Sequence, residues 1–351
     1  MTVDDLQLLE EQLAVERRKV DVAIHNFSTR ELVRMMADEE LNTAPAYQRK
    51  FRWTKEGESL FIESVFLGLP IPPLFVATNI GFQWEVVDGL QRLSTLHHFM
   101  SDSDSSLDLV GRTEPLRLAG LEKLSQLNGR GYKDLPKNIQ IYFGRQPLQV
   151  VSLTDKSDLQ IRFDLFERLN KGGIVLTPQE VRACVYRGQF NDFIEPLAQF
   201  PDFASLLKLQ QARQSDGTSV EQVLKFFAYK NDRDRFDGRV EKFLNRYMGE
   251  AEKAFNYDKE RRLFESAAHE LAAICGGPFL AGTHPLTPLV QFEACMVALG
   301  ELIDGGVKVV APASGWVNDP QLREASGAGT NTKSMLGRRI DRAKAIFSGQ
   351  A

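Results

Sequence analysis

The sequence predicts an α+β protein, with a small mixed-sheet domain followed by a mainly α-helical one. Three observations carry that prediction. Short alternating or β-branched runs are confined to the N-terminal part: Val20 to Phe27, Leu74 to Ala77, Gln83 to Val87 and Pro147 to Leu153. From Asp158 onward the apolar period is helical almost throughout. A chain of 351 residues is also longer than one hydrophobic core usually serves, which favours two domains.

Each element has a local reason. Residues 4–19 read as a charged helix whose stripe, Leu6, Leu9 and Leu13, suits a partner or the domain itself. Ser28-Thr29-Arg30-Glu31 has capping-box spacing and starts a helix running to about Glu40. Gly57 to Gly68 is the next helix, ended by Pro70, Pro72 and Pro73, which lead into the strand at Leu74. Asp88-Gly89 ends the strand that follows, and Leu90, Leu93, Leu96 and Met100 then share one helical face. Ser101 to Ser106 is a polar loop. Later helices are expected near 158–169, 178–187, 190–199, 219–230, 236–247, 250–274, 286–303 and 333–347, with a break at Gly276-Gly277-Pro278 and a loop over 311–332. The expected divisions are a helical extension (1–20), an α/β domain (21–156) and a helical domain (157–351).

Composition removes several function classes. A net charge of −4 and an isoelectric point near 5.9 do not suit a general nucleic-acid coat, so DNA contact would need a local basic patch. Cys184, Cys275 and Cys295 are widely spaced and form no CxxC pair, which argues against zinc or a disulfide framework and fits a reducing cytoplasm. Adjacent His97 and His98 diverge around a helix and suit structural roles better than chelation. No apolar run reaches the length of a membrane span, and Met1 to Val20 lacks the apolar core of a signal peptide. Walker A, Gly-x-Ser-x-Gly and zincin motifs are missing from the sequence.

The richest segment is Trp84 to Leu93, read as a strand, a tight turn and the first turn of a helix. Gly89 suits backbone angles closed to other residues. Gln91, Arg92 and Thr95 then fall near the free N–H groups of a helix N-terminus, a natural anion seat. Arg92 adds a fork of donors matched to phosphate. Asp88 either shapes the turn or holds Arg92, a metal-bound water or a ribose hydroxyl.

The run Asp88-Gly89-Leu90-Gln91-Arg92 resembles the Asp-Gly-Gln-Gln-Arg signature of the DUF262 domain, the N-terminal domain of GmrSD-type modification-dependent restriction enzymes. Further blocks resemble that family in its order. They are Pro45 to Trp53, with Gln48-Arg49; Leu60 to Leu74; Phe166 to Gly173, with Asn170-Lys171; and Leu176 to Arg182. Together they span roughly residues 20 to 230. Leu90 departs from the pattern, standing where the family usually has Gln.

The resemblance implies a ParB/sulfiredoxin-like fold and NTP binding and hydrolysis, linked to sensing modified DNA and to anti-phage restriction. It implies that Gln48 and Arg49 share the pocket of Asp88, Gly89 and Arg92. Asn170, Lys171 and Arg182 are further phosphate candidates, Lys171 beside a glycine nest. Mg²⁺ would enter with the triphosphate, with Asp88 a candidate to orient it, and Gln91 or Gln48 would position the attacking water. No His-Asn-His cluster follows residue 230, so the protein either cuts by another route, using the Asp88 pocket itself, or works with a separate nuclease subunit as partner, and homo-oligomerisation is compatible with the same reading. The alternative is a non-catalytic module that responds to nucleotide or DNA and regulates a separate nuclease.

Overall fold

In a computed structural model, the described residues are 3–18, 21–42, 53–78, 82–101, 107–154, 163–165, 168, 177–186, 188–251, 255–282, 284–327, 329 and 331–350. The chain divides into two compact units, Met1–Val175 and Leu176–Ala351. The first holds a mixed sheet and the second is helical, so the protein is α+β. Of the helix expected at 158–169, residues 163–165 and 168 are described and are helical; residues 45–52 and 169–176 of the motif blocks lie outside the described residues.

The first unit carries strands β1 (Val22–Ser28), β2 (Leu41–Asn42), β3 (Leu74–Thr78), β4 (Trp84–Asp88) and β5 (Pro147–Leu153) in the order β1-β5-β3-β4-β2. β3 and β4 form an antiparallel hairpin, with Val76 opposite Val86 and an irregularity between Phe75 and Val76. β5 joins β3 in parallel and β1 antiparallel, while β2 runs parallel to β4. Helices α1 (Val3–Arg18), α2 (Thr29–Ala37), α3 (Lys55–Phe66), α4 (Leu90–Met100) and α5 (Lys137–Gly144) complete the unit's described helices of four residues or more.

Local chemistry explains the helix starts. Ser28 accepts from the Glu31 N–H, and Thr54 accepts from the Gly57 N–H, each filling one orphan donor of a first turn. The core lies between the sheet and α2, α3 and α4. Leu32, Ile62, Leu74, Val76, Leu93, Leu96, Phe99, Phe143 and Val150 are all buried there. On α1, by contrast, Leu6, Leu9 and Leu13 are exposed.

The second unit contains α6 (Pro178–Val185), α7 (Gln189–Leu197), α8 (Pro201–Leu206), α9 (Thr218–Asp232), α10 (Val240–Ala251), α11 (Tyr257–Cys275), α12 (Leu289–Asp304), α13 (Pro320–Ala325) and α14 (Lys333–Phe347). Thr177 and Glu180 close a full capping box on α6, and Pro178 sits at its first position. The loop expected over 311–332 contains α13, which Asp319 caps by accepting from the Leu322 N–H.

A buried chain of charges runs through this unit. Arg182 pairs with Glu221, Lys225 lies 3.2 Å from Glu221 and 3.4 Å from Glu293, and Arg339 lies 3.0 Å from Glu293. It ties α6, α9, α12 and α14 together, because a charge away from water must find a partner. No described helix is long and apolar enough to cross a membrane.

Candidate functional site

β4 ends at Asp88, and α4 begins at Leu90. Gly89 between them has φ +100°, a left-handed conformation that disfavours a side chain. An added Cβ there would lie 2.3 Å from Leu74 Cδ2 and 3.2 Å from Arg92 Nη2. Leu74 and Arg92 therefore close over the turn, and glycine is what fits. Gly89 offers no side chain to cap α4. The first intrahelical bond runs from the Leu93 N–H to the Gly89 carbonyl, so the N–H groups of Leu90, Gln91 and Arg92 have no i−4 carbonyl within the helix.

Arg92 points inward. Its side chain is only 12% exposed, whereas that of Asp88 is 37% exposed. Nη1 donates to the carbonyls of Pro72 and Pro73, the latter at 3.1 Å, and Nη2 donates to Asp88 Oδ2 at 2.7 Å. The guanidinium thus ties the proline entry of β3 to the end of β4. Burial pulls its pKa down from the ordinary value, while Asp88 opposes the shift. Three of the five N–H donors of the fork expected to face phosphate are taken by backbone oxygens and Asp88.

Gln91 Oε1 accepts the Trp53 N–H at 3.2 Å, so the helix start holds the main chain just before α3. Leu90 packs against the core, which gives an apolar reason for its place in the motif. Thr95 is fully buried, and its hydroxyl donates to the Gln91 carbonyl at 2.8 Å. The structure therefore removes Thr95 from the exposed phosphate-facing set, since its one donor is used inside the helix.

Arg182 is also corrected. It is completely buried in the helical unit, where Nε donates to Gln179 Oε1 at 2.8 Å, Nη1 to Asn245 Oδ1 at 3.3 Å, and Nη2 to Glu221. Its three nitrogens are taken up by the fold. Gln48, Arg49, Asn170 and Lys171 lie outside the described residues.

Three basic residues of the last helix are ion-paired. Arg339 pairs with Glu293, Arg342 donates to both carboxylate oxygens of Asp319, and Lys344 pairs with Glu301. Among the described residues, no group of three or more His, Cys, Asp or Glu side chains is placed to hold a metal.

A second feature was not legible as a site. Trp53 also lines a cavity of about 380 Å³ with Lys55, Glu58, His98 and Arg112. His98 has the structural role expected of it: Nδ1 lies 2.7 Å from Glu58 Oε1 and Nε2 lies 2.8 Å from the Glu114 carbonyl. The available signal was the seven-residue spacing of Gln91 and His98, which puts both on one face of α4.

No curated protein and no solved structure matches this chain. A family model does match: residues 30–187 correspond to the "GmrSD restriction endonuclease, N-terminal domain", a span that includes β2 to β5, the 88–92 turn and α6. Over residues 30–187, this chain is similar to the GmrSD restriction endonuclease N-terminal domain family.

Proposed function

We propose that this protein is a nucleotide-binding component of a DNA restriction system, with the triphosphate seated at the 88–92 turn. The observation that carries the reading is the glycine-led start of α4, where main-chain N–H groups without helical partners stand beside the half-exposed carboxylate of Asp88. Arg92 acts as a clamp that shapes this seat. Asp88 orients the Mg²⁺ that accompanies the triphosphate, and Gln91 holds the neighbouring main chain at Trp53. The family match supports the restriction role. DNA sensing, coupling to a separate nuclease subunit and anti-phage defence belong to the same proposal.

Hydrolysis is the finer reading. Phosphoryl transfer needs charge neutralisation in the transition state, and free guanidinium groups are a common source of it. Because Pro72, Pro73 and Asp88 take three of the five N–H donors of Arg92, a second reading stands beside it: binding without turnover, as a regulatory module.

The test is equilibrium binding of Mg²⁺-NTPs together with phosphate release, using wild type and Asp88→Asn. Wild type should bind at least one NTP, and Asp88→Asn should weaken Mg²⁺-NTP binding by about tenfold, or about 1.4 kcal/mol. Release of phosphate by wild type, lost in the variant, supports the enzyme; tight binding with no release supports the module. Absence of binding by wild type to any of the four NTPs removes both.

A further inference from the structure

We infer that the cavity beside Trp53 receives the base and ribose of the nucleotide whose phosphates sit at the 88–92 turn; this rests on the reading of that turn as a phosphate seat. Gln91 and His98 are seven residues apart on one face of α4, about 10 Å along its axis. Gln91 binds the Trp53 N–H at 3.2 Å, and Arg112 Nη2 donates to the Trp53 carbonyl at 3.4 Å. Trp53 is thereby held from both sides, with the helix start at one side and the cavity at the other. A nucleoside triphosphate laid along this face has its phosphates at the amides of α4 and its base against Trp53.

The cavity has the size and chemistry for that end of the ligand. Its volume of about 380 Å³ falls within the ordinary range of small-molecule sites. The Trp53 ring, edge-on to Phe61 at 5.6 Å, supplies an aromatic wall held by the core.

The floor is neutral. Since a carbonyl can only accept, Nε2 of His98 carries a proton toward Glu114, and a second proton must lie in the 2.7 Å contact between Nδ1 and the Glu58 carboxyl. Whichever partner holds it, Glu58 and His98 together carry no net charge. Lys55 is a cationic group on the wall, and Arg112 lies there 3.6 Å from Glu58 Oε2, with Glu114 at the rim. Arg117, which also lines the cavity, is engaged by Asp134 at 2.8 Å and by the Gly129 carbonyl. The wall thus presents donors suited to base and ribose oxygen atoms.

The experiment compares inorganic tripolyphosphate with NTPs on wild type, Arg112→Met and Thr113→Trp. Thr113 is exposed at the rim, so its replacement fills the cavity without disturbing the core. Wild type should bind its preferred NTP about tenfold or more tightly than tripolyphosphate, and both variants should reduce that preference to near unity with tripolyphosphate affinity unchanged. Thermal melting checks that each variant folds, and Thr113→Trp serves if Arg112→Met does not. Equal affinity of wild type for NTP and tripolyphosphate overturns the base subsite while leaving the phosphate seat standing. Retention of the full preference in a folded Thr113→Trp also overturns it. Failure of wild type to bind either compound removes the phosphate seat, and this inference with it.

Discussion

Asp88 Oδ2 accepts from Arg92 Nη2 at 2.7 Å across a single helical turn, with left-handed Gly89 between the two residues. Arg92 also reaches the carbonyls of Pro72 and Pro73, twenty residues back in the chain. One side chain therefore joins the exit of β4, the start of α4 and the entry to β3. The motif's arginine is a structural clamp.

Removing the clamp should destabilise the first unit. Arg92→Ala leaves two carbonyls and one carboxylate without their charged donor, a loss of about 2–3 kcal/mol by the usual value of such bonds. Arg92→Lys should restore only part, because an ammonium cannot span the same fork of acceptors. Denaturant unfolding of the three proteins measures this, and a midpoint for Arg92→Ala equal to that of wild type would sink the clamp.

Gly89→Ala tests the turn itself. The left-handed backbone costs an alanine about 1–2 kcal/mol, and the contact with Leu74 Cδ2 adds about 1–3 kcal/mol of overpacking. In a Gly89→Ala/Leu74→Ala double variant the overpacking share should disappear while the backbone share persists, so the two mutations will not add. Additive losses would show that Leu74 does not close over the turn.

Arg182→Met separates fold from site. Breaking a buried pair by removing one partner typically costs about 3–5 kcal/mol, and Arg182 is fully buried against Glu221, Asn245 and Gln179. The variant should lose stability in the helical unit while NTP affinity, measured under conditions where the protein remains folded, stays unchanged. Weakened NTP binding at wild-type stability would instead return Arg182 to the phosphate site.

The same charge chain sets a pH response. Burial pushes the Glu221 carboxyl upward, but Lys225 and Arg182 outweigh it, and its pKa falls below the ordinary 4.5. A carboxyl depressed in the folded state stabilises fully above its unfolded pKa and loses that contribution as pH falls through the folded one. The stability gap between wild type and Glu221→Gln should therefore be constant above about pH 5 and narrow progressively below the ordinary carboxyl pKa of 4.5. Unfolding curves between pH 3 and 7 would show it, and a gap that widens on acidification would contradict the pairing.

Much of the fold was legible because its causes are local. Local sequence pattern identified β5 over Pro147–Leu153 and α14 over Lys333–Phe347, which Thr332 caps by accepting from the Met335 N–H. Short α8 and α13 were missed: six residues hold too few turns to show a period, and each begins at a proline that reads equally well as a loop. At the site, the strand, the glycine turn and the helix start were readable in order, since each depends on residues within a few positions.

The sequence by itself determined that a glycine turn would place the first amides of a helix, a carboxylate and a guanidinium together at the start of α4. Only the tertiary structure decided where those groups point. Arg92 meets prolines about twenty residues away, and Arg182 meets an acid and an amide from other helices. The physical reason is that a charged or polar side chain leaving water must take whichever partner packing brings within reach, and that partner is fixed by long-range contacts to which local spacing is blind.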